Sequence, residues 1–130
     1  MSREIKTFFD LDNAPFSNMV LGEVLNLPGK WSSYPPHHHP QPEVYFYRFD
    51  YPHGFGAGFA NGEIYKTGHN GCAVITSGFH SQTAAPGYAM CYAWGIRHLP
   101  GDPWDKTRID DKEHEWLWKP DANEHIYPNH

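Results

Sequence analysis

The sequence predicts an all-β domain closed into one small antiparallel barrel, with a jelly roll as the natural form. Short runs rich in aromatic and β-branched residues recur along the chain, each bounded by glycine or proline. No segment keeps the apolar period of a long helix. Aromatic residues make up 16% of the chain and charged residues only 19%, a balance far from the Ala, Leu, Glu and Lys usage of helical bundles. At 130 residues the chain fits one domain, large enough to bury a core without disulfides or a structural metal.

Taken in order, residues 1–17 form an arm in which Ile5, Phe8 and Phe9 either add a strand or cover a barrel end. Residues 18–118 form the barrel and residues 119–130 a tail. Residues 19–27 read as a strand closed by Pro28-Gly29. Residues 31–42 contain four prolines, so they run extended or as loop. Residues 43–49, aromatic and β-branched, are the clearest strand. Residues 50–58 read as a glycine-rich turn region, and Asn61-Gly62 as a two-residue hairpin turn. Short strands follow at 72–76, 80–85 and 88–96, with one helical turn near 111–117. The total is about eight strands separated by turns.

The formal net charge is -5 and no run of Lys or Arg occurs, so a nucleic-acid surface is not expected. No stretch approaches the ~18 apolar residues of a membrane span, and residues 1–10 lack the apolar segment of a signal peptide. A cytoplasmic protein without membrane contact is the expectation. Cys72 and Cys91 form no Cys-x-x-Cys pair, and both stand in apolar runs, so two buried free thiols are expected.

The chemistry concentrates in two places. His37, His39 and Glu43 spell His-x-His-x-x-x-Glu. Residues two apart on an extended chain point the same way, so His37 and His39 converge while His38 faces elsewhere. Glu43 opens the next strand and brings a carboxylate. His80, following the Ser77-Gly78 turn, supplies a fourth donor from another strand. Three imidazoles and a carboxylate suit one divalent ion (Zn, Mn, Fe or Ni) and leave coordination positions open, as catalytic sites do. The bland alternative is a solvated His- and Pro-rich turn. His53, His69, His98, His114, His125 and His130 read as loop or tail histidines.

Strand alternation supplies the surroundings. Tyr45 and Tyr47 share the face of Glu43, as catalytic groups that bind substrate or move a proton, or as core aromatics. Tyr92 and Trp94 share a face with Tyr88 and Met90, and Gln82 lies on the side of His80. Lys66 and Arg97 are the expected cations for a substrate carboxylate.

These segments resemble the two cupin motifs, with Thr76 at the usual proline position and one residue, not two, between Gly78 and His80. They resemble most the 5-deoxy-glucuronate isomerase family of inositol catabolism. The matching residues are Gly22-Glu23-Val24, Pro28-Gly29-Lys30, and Trp31-Ser32-Ser33-Tyr34-Pro35-Pro36-His37-His38-His39. They continue with residues 43–49, Gly54-Phe55-Gly56, Gly78-Phe79-His80, residues 84–88 and His114-Glu115-Trp116-Leu117. Members of that family usually carry two cupin-like halves, and this chain resembles the metal-bearing second half. The resemblance implies a single cupin barrel that performs a metal-dependent aldose–ketose isomerisation of a deoxy uronic acid. A homodimer and a small sugar acid are the implied partners. A dioxygenase-type cupin and a non-catalytic sugar- or metal-sensing module remain the alternatives.

Overall fold

Residues 43–49 show how the sequence sets the layers. Glu43, Tyr45, Tyr47 and Phe49 are buried, while Val44, Phe46 and Arg48 are exposed, the two-residue period of a strand with one face inward. The computed structural model describes residues 3–128. Residues 1–2 and 129–130, at the outer ends of the expected arm and tail and including His130, lie outside the described residues.

Among the described residues the strands are β1 (Arg3–Phe9), β2 (Met19–Asn26), β3 (Trp31–His38), β4 (Glu43–Phe49), β5 (Phe55–Ala60), β6 (Glu63–Gly68), β7 (Cys72–Ile75), β8 (His80–Ala84), β9 (Met90–Arg97) and β10 (Ile109–Asp110). Two short 3-10 turns follow, at Glu115–Trp118 and Ala122–His125. The strands form two five-stranded sheets, β1-β2-β9-β4-β7 and β10-β3-β8-β5-β6, paired antiparallel throughout. This is the expected all-β cupin barrel. No helix of the described residues is long and apolar enough to cross a membrane.

The core lies between the sheets. Val20, Val24, Tyr45, Tyr47, Met90, Tyr92, Trp94 and Ile96 fill it, each large side chain contributing roughly 1.5–3 kcal/mol through burial. Polar groups cross it in a connected chain. Asn26 Nδ2 donates to Ser32 Oγ (3.0 Å), and Ser32 Oγ is bonded to the Tyr92 hydroxyl (2.7 Å), which ties the two sheets together.

The arm takes the first of its two expected forms and adds an edge strand: β1 pairs along β2 from Arg3↔Asn26 to Phe9↔Leu21. Two local expectations need correction. The glycine-rich segment at 50–58 is not all turn, because β5 begins at Phe55. Its glycines serve close packing, since a side chain at Gly58 would meet the Tyr65 ring. The hairpin at Asn61-Gly62 holds, with φ of 50° and 79° at its two central residues. The cysteines are unpaired but not buried. Cys72 is exposed and Cys91 half-buried, because alternation puts both on the outer face, opposite inward-facing Tyr92 and Ile75.

Candidate metal centre

Local irregularity in β3 sets the direction of the histidines. Against β8, Ser32 pairs with Gln82 and His37 pairs with His80, so β3 spends five residues where β8 spends two. This bulge contains Pro35 and Pro36, which cannot donate ladder hydrogen bonds. It switches the inward side of β3 from even to odd positions: Ser32 is buried before it, His37 and His39 after it. Glu43 enters from the opposite sheet at the start of β4, and His80 from the start of β8. His37 and His80 of one sheet, with His39 just past the end of β3, therefore meet a carboxylate of the other.

Glu43 Oε2 lies 3.2 Å from His39 Nε2 and 3.3 Å from His80 Nε2. The ligand atoms of His39, Glu43 and His80 all fall within 4.8 Å of one another. His37 is not part of that close set, but its ring meets the His80 ring edge-on at 4.7 Å and it lines the same cavity.

The hydrogen bonds decide what these groups can hold. His37 Nδ1 is 3.0 Å from the Pro35 carbonyl, and His39 Nδ1 is 2.9 Å from the Gln41 carbonyl. A carbonyl only accepts, so both Nδ1 atoms carry the proton, and in the neutral rings both Nε2 atoms present bare lone pairs. Both ring nitrogens of His80 are buried without a hydrogen-bond partner, since its approach to Glu43 lies off the hydrogen-bond direction. Burial, with His80 and Arg108 nearby, pushes His37 down to about 3 and keeps it neutral. Burial raises the Glu43 carboxyl, but the imidazoles of His39 and His80 outweigh it and hold it at about 2. Read as ion pairs, the two short contacts would set two buried imidazolium charges against one carboxylate. A divalent ion uses the bare nitrogens and the carboxylate together, and the residues fit one.

The cavity beside this cluster has a volume of about 250 Å³, which suits a small metabolite. Tyr45, Tyr92, Trp94, Ile96 and Trp104 form much of its wall. Trp94 can lie there because β2 carries Gly22 opposite it, where a Cβ would run into the indole and come within 2.6 Å of the Lys6 carbonyl oxygen. Gly22→Ala is expected to displace Trp94 and to destabilise the fold by about 1–3 kcal/mol through overpacking. Denaturant unfolding and the Trp fluorescence spectrum check both effects.

Tyr45, Tyr92 and Trp94 thus stand where sequence alternation puts them. Four other expected residues do not reach the cavity. Tyr47 is two positions further along β4, roughly 7 Å deeper in the barrel; its hydroxyl donates to Gln82 Oε1 (2.8 Å) and lies 3.2 Å from the Tyr65 hydroxyl. Gln82 is buried, accepts that bond with its Oε1, and is not part of the cavity wall. Lys66 is exposed next to buried Thr67, with its ammonium 5.2 Å from the Phe55 ring. Arg97 is exposed next to buried Ile96. The cations that line the cavity are Arg3, Lys106 and Arg108. Sequence reading also passed over Trp104, whose backbone N–H donates to His98 Nδ1 (3.0 Å) and whose ring stands 5.7 Å from that of His39. His69 likewise has a structural task, accepting the Phe49 N–H at 2.9 Å.

Comparison with known proteins bears on the fold and the family. The sequence matches the KduI/IolB family over residues 1–117. A protein of Bacillus subtilis (strain 168) named 5-deoxy-glucuronate isomerase is 30% identical over 123 residues, covering 82% of this chain and 44% of that protein. The chain thus spans less than half the length of the curated relatives it matches. In fold it is similar to the crystal structure of an IolB-like protein from Salmonella typhimurium LT2, with TM-score 0.80 and 20% identity over 90% of this chain and 49% of that one. It is also similar to a cupin-like protein from Thermotoga maritima MSB8, with TM-score 0.66 and 15% identity over 98% of this chain and 86% of that one. With the family matched over residues 1–117 of its 130, the chain belongs to the KduI/IolB family.

Proposed function

We propose that the chain is a metal-dependent aldose–ketose isomerase acting on a deoxy uronic acid of the 5-deoxy-glucuronate type. The observation that carries this reading is the buried set of bare imidazole nitrogens around Glu43, open to a small cavity, in a chain whose relatives bear that enzyme's name. His37, His39, Glu43 and His80 are the proposed ligands of one divalent ion. Such an ion supplies a Lewis acid that polarises a carbonyl and the hydroxyl beside it.

The chain's own residues supply the rest. Burial, followed by the Glu43 charge, raises the Tyr45 hydroxyl well above its usual range. Tyr45 therefore keeps its proton at neutral pH and would offer a hydrogen bond to the sugar oxygen that gains electron density as an enediol forms. Tyr92 has its hydroxyl committed to Ser32, and Trp94 and Trp104 offer only indole surface, so these side chains shape the cavity and exclude water.

The test is to incubate the metal-loaded protein with 5-deoxy-glucuronate and follow aldehyde loss and ketone appearance by NMR, with and without oxygen. Conversion is expected at equal rates in both atmospheres and is expected to stop on chelation. Oxygen-dependent consumption would favour a dioxygenase, and binding without turnover a sensing module.

A further inference from the structure

The histidines around Glu43 are not held alike. His37 donates through Nδ1 to the Pro35 carbonyl and His39 through Nδ1 to the Gln41 carbonyl, so a hydrogen bond fixes each of these rings. His80 has no such bond, because both its ring nitrogens are buried without a hydrogen-bond partner. The rings of His37, His39 and Tyr45 flank it, with centroids 4.7, 5.5 and 6.3 Å away. Its direction therefore depends on that packing and on the backbone that delivers it. We propose that Asn61, at the tip of the β5–β6 hairpin, is a positioning residue that aims His80 at Glu43 by holding the turn before it.

The contact has two parts. The Asn61 N–H donates to the Phe79 carbonyl at 3.0 Å, one residue before His80, and continues the β5–β8 ladder in which Ala60 pairs with His80. Asn61 also closes over Gly78. Gly78 has a φ of +79°, and a Cβ there would stand 2.7 Å from Asn61 Oδ1 and 2.8 Å from its Cα and Cβ. The Cα belongs to the backbone, so turning the Asn61 side chain away could not clear the space. The Phe79 ring adds a contact with the strand of the other histidines, meeting the His38 ring edge-on at 4.8 Å.

Asn61 is exposed and stands outside the cavity wall, so it acts through His80 and not on a ligand. Its own φ of 50° is set by the tight hairpin, a conformation that Asn and Gly accept. The hairpin tip is thereby a fixed stop for the turn at Ser77-Gly78-Phe79. A ligand set tolerates displacements of only about 0.5 Å, so a turn pushed off this stop would carry the His80 imidazole out of reach of the site. The proposal rests on the metal reading of the cluster only for the effect on affinity, not for the position of the ring.

Gly78→Ala compared with Gly87→Ala in the full chain tests it. Gly87 has a φ of +91° with nothing within 4 Å of its Cβ direction, so Gly87→Ala imposes similar backbone strain without the contact. Zn²⁺ affinity, measured by competition with a chromophoric chelator, is expected to fall by about 10–100-fold in Gly78→Ala and to stay at the wild-type value in Gly87→Ala. Adding Asn61→Gly to Gly78→Ala should recover part of the loss, since it removes the Oδ1 and Cβ that the new methyl meets. A second readout needs no metal: the NOE between the His37 and His80 rings in the chelator-treated protein is expected in wild type and Gly87→Ala and is expected to weaken in Gly78→Ala. Where Gly78→Ala fails to fold, Asn61→Gly alone, which keeps the turn conformation and deletes the side chain, should weaken both zinc binding and the NOE. A wild-type NOE or wild-type zinc affinity in folded Gly78→Ala overturns the proposal, as do equal losses in Gly87→Ala, no recovery in the double variant, or, in the fallback, wild-type values in Asn61→Gly. A wild type that binds no zinc removes the metal reading, and the NOE alone then decides whether Asn61 aims His80.

Discussion

His80→Ala is expected to abolish stoichiometric metal binding. Protein purified without chelator should hold about one divalent ion per chain, and the variant should hold almost none. His80 enters with both ring nitrogens buried and unpartnered, within 3.3 Å of the Glu43 carboxylate. Removing it leaves His39 and Glu43 as the remaining close pair, and altering even an outer partner of a metal ligand costs about 10–100-fold in affinity. The effect should extend to stability. His80 and Glu43 come from different sheets, so an ion held between them fastens the two layers and stabilises the folded state by mass action. Chelation should therefore lower the melting temperature of wild type and leave that of His80→Ala unmoved. Elemental analysis together with paired melts, with and without chelator, checks this. One ion per chain in both proteins would remove His80 from the ligand set, and none in wild type would mean that the cluster is only an ion-pair network.

The reach of sequence reasoning followed the range of the interactions involved. Alternation within β4 put Glu43 and Tyr45 on one inward face, because that strand is regular and its core side is apolar and aromatic. The facing of His37 and His39 was legible for the same local reason, although the bulge that aims them was not. A two-residue period carries no information on how many residues the partner strand spends over the same span. Lys66 and Arg97, the cations expected to meet a substrate carboxylate, stand on exposed positions outside the cavity wall. Their neighbours Thr67 and Ile96 take the inward positions. That Arg3 and Arg108 line the cavity follows only from long-range pairing, β1 with β2 and β10 with β3. Tyr47 stands outside the cavity wall for another reason. It has the right face but the wrong depth, and the barrel spends its hydroxyl on Gln82.

Depth is also what singles out Tyr45, and Tyr45→Phe gives the second large effect. The variant is expected to keep its metal and its fold while kcat for the isomerisation falls by about 100-fold or more, with little change in KM. Only the hydroxyl is removed, so the ring contacts that Tyr45 makes with Tyr92 (centroids 5.2 Å apart) and His80 (6.3 Å) remain. Burial is the largest influence on the Tyr45 hydroxyl, so the group stays protonated throughout the neutral range. Tyr47→Phe is the internal control. It deletes a hydroxyl of the same chemistry on the same strand, but one already given to Gln82 and outside the cavity wall, so its cost should appear as about 0.5–1.5 kcal/mol of stability with kcat nearly unchanged. Steady-state kinetics and denaturant melts on the pair separate a hydroxyl that meets substrate from one that holds the core. Equal kcat in Tyr45→Phe and wild type would remove Tyr45 from the chemistry and return it to the aromatic core.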